Sequence, residues 1–299
     1  MRLRNLRWPW LFALLLCAVP AGAAPRRIVS LSLCADQYLL LLADRSQIVA
    51  LNRFSHDPAM SWGVERAKDF PAIRGTAEEM LTLRPDLVFA SGFGTPAARA
   101  VLKSRNVPII DLPWNNSLES IERTTREVAA AVGHPERGEA LVAAMRRRLA
   151  AFGPGPGGGR IAAFYQRRGF LTGQGTLVDD MMQRAGLANL ARRLDRPMLS
   201  HLSIEEMAIA RPDFLIVEND SRVRDKGTEM LQHPLLARVI APSRRIFIPE
   251  ALTTCGGPSY PDAVARLISG IRRADRADQK LMRVVTRTSR PESGAKSLR

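Results

Sequence analysis

The stretch Thr76-Ala-Glu-Glu-Met-Leu-Thr-Leu-Arg-Pro-Asp-Leu-Val-Phe89 returns later as Ser203-Ile-Glu-Glu-Met-Ala-Ile-Ala-Arg-Pro-Asp-Phe-Leu-Ile216, with every matched position at one constant offset. Glu78 pairs with Glu205, Glu79 with Glu206, Arg84 with Arg211, Pro85 with Pro212 and Asp86 with Asp213. Two copies so far apart do not make a solenoid. They predict an α/β protein of two similar lobes, each built from βα units on a mostly parallel sheet, with a site between them.

Each copy reads as a helix, a turn and a strand. Thr76 or Ser203 is a good N-cap, and the Glu three residues on (Glu79, Glu206) completes a capping box. Arg-Pro-Asp stops the helix, because the residue before a proline avoids the α region. The apolar runs Leu87–Ala90 and Phe214–Val217 then read as buried parallel strands. Capping uses Glu79 and Glu206. It leaves Glu78 and Glu205 beside the helix N-terminus, favourable for the dipole but without a structural duty.

The first residues describe export. Arg2, Arg4 and Arg7 precede the apolar stretch Leu11–Val19, which is too short to span a bilayer. Ala21-Gly22-Ala23 fits a cleavage site after Ala23, so residues 1–23 are expected to be a signal peptide and the mature chain exported. The formal charge of +15 does not point to nucleic acid. Part leaves with residues 1–23, part lies in the polar stretch 283–299, expected to be a basic disordered tail, and the rest is spread over helices such as the one holding Arg146-Arg147-Arg148. No basic stripe interleaved with aromatics occurs.

Strands at Arg27–Leu33, Ile48–Leu51, Leu87–Ala90 and Val107–Asp111 alternate with helices and define an N-terminal lobe over 24–132. A break at Gly133-His-Pro135 precedes Glu136–Phe152, with Leu141, Val142, Met145 and Leu149 at helical spacing. About 25 Å long by helical rise, the segment 133–152 can bridge the lobes. The loop Gly153–Gly159 lacks a Gly-Lys-Ser/Thr ending and precedes a strand, which argues against a phosphate cradle. A C-terminal lobe follows over 153–282, its last helix expected at Pro261–Arg273.

Taken in order, these features resemble the class III periplasmic binding proteins of ABC importers, the cobalamin- and ferric-siderophore-binding family. The carriers are Arg27-Ile-Val-Ser-Leu31, the two Glu-bearing units, the long helix before Gly153, and Gly173-x-Gly175-Thr176 leading to Asp179-Asp180 and Ala185-Gly-Leu-Ala-Asn189. The resemblance spans about 26–282. It implies two lobes bridged by one long helix, and a metal chelate (ferric siderophore, cobalamin or related corrinoid, haem) held between them as transported ligand. It implies no catalytic cofactor. It also implies a monomer that meets the membrane only through a permease with its ATPase, docking through Glu78 and Glu205.

Ligands of open α/β sheets lie beyond the carboxyl ends of the strands. The candidate ligand-binding residues there are Cys34, Asp36, His56, Phe93, Trp114, Tyr165, Asn219, Cys255 and Tyr260. The aromatics among them offer flat apolar area, and the polar groups offer orientation. Cys34 and Cys255 stand at strand ends in opposite lobes, and three fates are open to them: a cross-cleft disulfide, thiolate ligation of a metal with Asp36 or His56, or two free thiols. A cysteine-dependent hydrolase using Cys34, His56 and Asp36 is a further alternative. It lacks any protease signature, and no HxxxH or HExxH spacing occurs.

Overall fold

A computed structural model describes residues 24–92, 96–218, 227 and 229–288. The expected signal peptide, residues 289–299 of the tail, and the candidate residues Phe93 and Asn219 lie outside the described residues.

The N-terminal half runs through β1 (Ile28–Ser30), α1 (Leu33–Leu42), β2 (Ile48–Asn52), α2 (Val64–Ala67), β3 (Ala72–Ile73), α3 (Ala77–Leu83), β4 (Leu87–Ala90), α4 (Pro96–Ser104) and β5 (Ile109–Asp111). Its strands form one parallel sheet in the order β3-β2-β1-β4-β5. The chain then crosses through α5 (Leu118–Ala131) and α6 (Pro135–Ala150). The C-terminal half holds β6 (Ile161–Phe164), β7 (Phe170–Thr172), α7 (Leu177–Arg184), β8 (Ala188–Asn189), α8 (Leu190–Arg193), β9 (Leu199–His201), α9 (Ile204–Ala210), β10 (Phe214–Val217), α10 (Pro234–Val239), β11 (Arg245–Phe247) and α11 (Tyr260–Thr288). Here the parallel sheet has the order β11-β10-β6-β8, with an antiparallel ribbon of β7 and β9 beside it.

The repeated units occupy equivalent places. β4 lies between β1 and β5, and β10 lies between β6 and β11. Alternate residues of these strands feed cores on opposite faces, as a doubly covered sheet requires. Ile28, Leu87 and Phe89 pack with α1 and α5, whereas Val29, Val88 and Met80 pack with α4. Phe164, Phe214 and Ile216 pack with α6, α7 and α11, whereas Ala163, Leu215 and Val217 pack with α8, α9 and α10.

Both capping boxes form, with Thr76 and Ser203 accepting from Glu79 N and Glu206 N at 3.3 and 3.1 Å. The helix stops are tighter than the proline rule predicts. Arg84 (φ 45°, ψ 59°) and Arg211 (φ 44°, ψ 61°) take left-handed caps, each donating its N–H to the methionine four residues back. The aspartate of each Arg-Pro-Asp then ties down the neighbouring strand. Asp86 accepts from the N–H groups of Arg26 and Arg27 at 2.8 and 2.9 Å, and Asp213 from that of Ile161 at 2.8 Å. One motif thus ends a helix, turns the chain and aligns two strands.

α6 spans the two halves. At its start Arg137 donates to Leu42 O at 3.0 Å and pairs with Asp44 at 2.7 Å, while Val142, Met145 and Leu149 enter the C-terminal core. The glycine-rich loop after it has a packing reason. Gly157 and Gly159 donate to Ala185 O and Gly186 O at 2.8 Å, and a Cβ on Gly155 or Gly157 would collide with that backbone.

Two expectations need correction. The expected strand Arg27–Leu33 is confined to Ile28–Ser30, because α1 begins at Leu33, capped by Ser32. α11 does not end at Arg273 but continues to Thr288, so residues 283–288 of the expected tail are helical. No proline or glycine follows Gly270 until Pro291. Asp275 and Asp278 meanwhile pair with Arg160 and Arg244 of the C-terminal lobe, which holds the continuing helix against it.

The left-handed arginine caps carry a cost of about 1 kcal/mol that glycine avoids. Arg211→Gly is therefore expected to raise the melting temperature by roughly 2 °C, measured by thermal unfolding monitored by circular dichroism. An unchanged or lower value would show that the cap is not strained.

Candidate functional site

The loops that leave the carboxyl ends of both sheets surround one cleft of about 610 Å³. From the N-terminal lobe come Ser32 and Cys34 after β1, Asn52 and Phe54 after β2, Ser91 after β4, and Leu112 to Asn116 after β5. From the C-terminal lobe come Phe164 and Gln166 at the end of β6, Thr172, Thr176, Met198, Glu218 after β10, and Thr253, Thr254 and Gly256 after β11. Most of the surface is apolar, supplied by Leu31, Phe54, Met60, Trp114, Leu177 and Met198 among others, with a few convergent polar groups. Among the described residues that line it there is no Lys, Arg or His.

The back of the cleft is a covalent and hydrogen-bonded junction. Cys34 and Cys255 form a disulfide with Cα atoms 5.3 Å apart, across a sequence separation of 221. Next to it Tyr38 donates to Gly256 O at 2.9 Å, and Asn115 donates to both Tyr38 Oη (3.0 Å) and Gly256 O (3.2 Å). Asn115 is itself oriented by the Thr124 hydroxyl at 3.1 Å. Only glycine fits at 256, since a Cβ there would strike the Asn115 backbone and side chain. A second tie lies at the start of α11, where Asp262 accepts from Trp62 Nε1 at 2.9 Å and pairs with Arg148.

The disulfide overturns the thiolate readings. Sulfurs bonded to each other supply neither metal ligands nor a nucleophile, so the Cys34–Cys255 metal site and the cysteine hydrolase both fail. Among the described residues no group of three or more His, Cys, Asp and Glu converges.

The other candidates divide by burial. Trp114 lines the cleft and is 74% exposed, available to a ligand face. Tyr165 is fully buried and donates to Leu202 O at 2.7 Å; burial pushes its hydroxyl up to about 12. Tyr260 is equally buried, bonded to Asp180 and Arg184, and likewise raised by burial. Both tyrosines are core residues, away from the cleft lining. His56 is exposed outside the cleft, with Nε2 at 3.0 Å from Ala67 O. Asp36 is buried behind the wall, where desolvation pushes its carboxyl up to about 7. It accepts from Asn52 N at 3.0 Å and from the Ser55 hydroxyl, and so holds the loop that presents Asn52 and Phe54.

Glu218 is the site residue that the sequence reading missed. It accepts from Gln166 Nε2 at 2.9 Å and from the Thr253 hydroxyl, and burial raises its carboxyl above the usual range. The repeat itself carried the signal. Glu218 is the equivalent of Ser91, one residue past the duplicated strand, and both line the cleft.

Two lobes joined by α6, with a cleft at their strand ends, are what the comparisons match. Residues 28–245 match the periplasmic binding protein family. The chain belongs to that family. A vitamin B12-binding protein of Pectobacterium carotovorum subsp. carotovorum (strain PC1) is 26% identical over 215 residues, 70% of this chain and 76% of that protein. The structure of a periplasmic heme-binding protein from Roseiflexus sp. RS-1 is 27% identical at a TM-score of 0.63, covering 83% of this chain and 98% of its own. A periplasmic vitamin B12-binding protein of Vibrio cholerae shares the fold, at a TM-score of 0.65 and 19% identity over 84% of this chain and 98% of its own. Members of the periplasmic binding protein family serve ABC importers, which places this chain in the periplasm with a permease as partner. No helix among the described residues is long and apolar enough to cross a membrane.

A disulfide closing so long a loop stabilises by about 5 kcal/mol in the chain-entropy account. Reductant is expected to lower the melting temperature by roughly 10–20 °C, and the Cys34→Ser/Cys255→Ser protein to start at the lower value and ignore reductant. Equal melting with and without reductant would show that the bond does not hold the lobes.

Proposed function

We propose that this protein captures a metal chelate (cobalamin or a related corrinoid, a ferric siderophore, or haem) in the interlobe cleft and delivers it to the permease of an ABC importer. The observation that carries the reading is the cleft: large, mostly apolar, walled by both lobes and placed at the strand ends, in a member of the periplasmic binding protein family. The relatives named for vitamin B12 and heme support the class of ligand. Catalysis is not part of the reading, since the matched family and the relatives are binding proteins. The protein acts as a monomer on a permease driven by an ATPase. It reaches the periplasm through residues 1–23, cleaved after Ala23.

Glu78 and Glu205 are the docking residues of this reading. Both stand exposed in the first turns of α3 and α9, while their neighbours Glu79 and Glu206 are occupied by capping. An exposed apolar side chain accompanies each: Leu81 on α3 and, 82% exposed, Ile209 on α9. Carboxylates beside apolar surface suit a docking patch, where the ion pairs set register and the apolar area is buried.

A thermal-shift screen of residues 24–299 against cobinamide, cobalamin, haem and ferric siderophores tests the reading. A strong stabilisation by one chelate is expected, and silence across the panel would sink it. Trp114→Ala should weaken binding of the stabilising chelate about tenfold, corresponding to the loss of ~1.4 kcal/mol of aromatic contact, without a change in folding; unchanged affinity would remove Trp114 from the site. Exchanging both Glu78 and Glu205 for Arg should leave affinity intact and abolish uptake by cells. Normal uptake would overturn the docking assignment.

A further inference from the structure

The geometry points to Glu218 as the residue that sorts ligands by charge, so that the cleft accepts a chelate bearing neutral N–H donors such as primary amides and rejects one bearing carboxylates. This inference rests on the reading of the cleft as a chelate site and names the peripheral chemistry that the chelate must carry.

Four side chains form a hydrogen-bonded run along the C-terminal wall. The Thr172 hydroxyl donates to Gln166 Oε1 at 3.4 Å, Gln166 Nε2 donates to Glu218 Oε2 at 2.9 Å, and the Thr253 hydroxyl donates to Glu218 Oε1. All four residues line the cleft. The run is directed toward Glu218, although the Thr253 hydroxyl is also 3.2 Å from Glu250 O and Gln166 Nε2 keeps a second N–H. Each carboxylate oxygen accepts more than one hydrogen bond, so the network ends in acceptor capacity beside the ligand space.

Among the described lining residues none is Lys, Arg or His. Arg167 favours its ionised form but stands 3.7 Å from Glu250, which opposes it. A ligand carboxylate brought to this wall would meet a like charge, lose water and find no cation among the described lining residues. An amide N–H brought to the same place makes a charge-assisted hydrogen bond. Discrimination then comes from the repulsive element as much as from the attractive one. It also runs against the overall charge of the chain, formally +15, which by itself would draw anionic ligands.

The pH dependence follows in sign. Burial and Glu250 raise the Glu218 carboxyl, Arg167 lowers it, and amide donors favour the ionised form. Affinity for an amide-bearing ligand is therefore present above the Glu218 titration and lost as pH falls through it.

The test uses corrinoids that share one ring and differ at its edge: cobinamide, which carries amides, and cobyrinic acid, which carries carboxylates instead, with haem as a second carboxylated chelate. Binding of each to the mature protein and to Glu218→Gln is measured by titration calorimetry between pH 5 and 8. The wild-type protein is expected to prefer cobinamide at least tenfold, with affinity rising with pH. Glu218→Gln, checked for unchanged melting, is expected to narrow that preference about tenfold and to flatten the pH profile. A preference for cobyrinic acid or haem, or a selectivity and pH profile untouched by the substitution, would overturn the role of Glu218 while leaving chelate binding in place. Failure of all three probes to bind at any pH would overturn the inference, whereas the reading on which it rests falls only if the ferric siderophores are silent in the thermal-shift screen as well.

Discussion

The junction of Cys34 with Cys255, and of Tyr38 and Asn115 with the Gly256 carbonyl, is the constraint on which the rest of this structure depends. A sheet in one lobe cannot position a sheet in another through a single crossing of the chain unless the two are pinned elsewhere. α6 supplies a rigid spacer, tied to the N-terminal lobe by Arg137 and buried in the C-terminal core through Met145 and Leu149. The disulfide and its neighbouring hydrogen bonds close the arrangement from the other side. Between spacer and pin the strand ends of both lobes face one space, and the cleft exists because neither lobe is free to turn away.

The duplication shows which parts of a lobe are scaffold and which are open to specialisation. Capping box, left-handed arginine and strand-aligning aspartate recur in both copies because each satisfies backbone groups that any such helix–strand unit exposes. One residue past the duplicated strand the copies diverge, to Ser91 in one lobe and Glu218 in the other. Side chains there no longer support the sheet. They are the positions at which ligand chemistry can differ without cost to the fold, and the two walls of the cleft accordingly differ in charge, with Glu218 on one and no Asp, Glu, Lys or Arg among the described lining residues of the other.

The candidate residues show where sequence reasoning stops. Trp114, Tyr165 and Tyr260 are all aromatics near strand ends, and nothing in their local sequence separates them. Trp114 follows Pro113 in a loop that turns outward, whereas Tyr165 continues β6 into the core and seats its hydroxyl on Leu202 O. Tyr260 opens a helix whose apolar face is buried against β11 and α7. Asp36 and His56 both follow strand ends in the chain, yet one props a loop from behind and the other faces solvent. Direction, not proximity, decides such cases, and direction is set by packing against residues far away in sequence.

The sequence by itself determined the two-lobe α/β plan, since periodicity, caps and repeat spacing are local signals that survive any tertiary arrangement. The expectation of Glu78 and Glu205 as docking residues rests on the capping boxes that occupy their neighbours Glu79 and Glu206. The pairing of the cysteines, the burial of the two tyrosines and the place of Glu218 in the wall were decided only by the tertiary structure. Each depends on contacts between segments distant along the chain, and no local pattern encodes which of several compatible partners a side chain will meet.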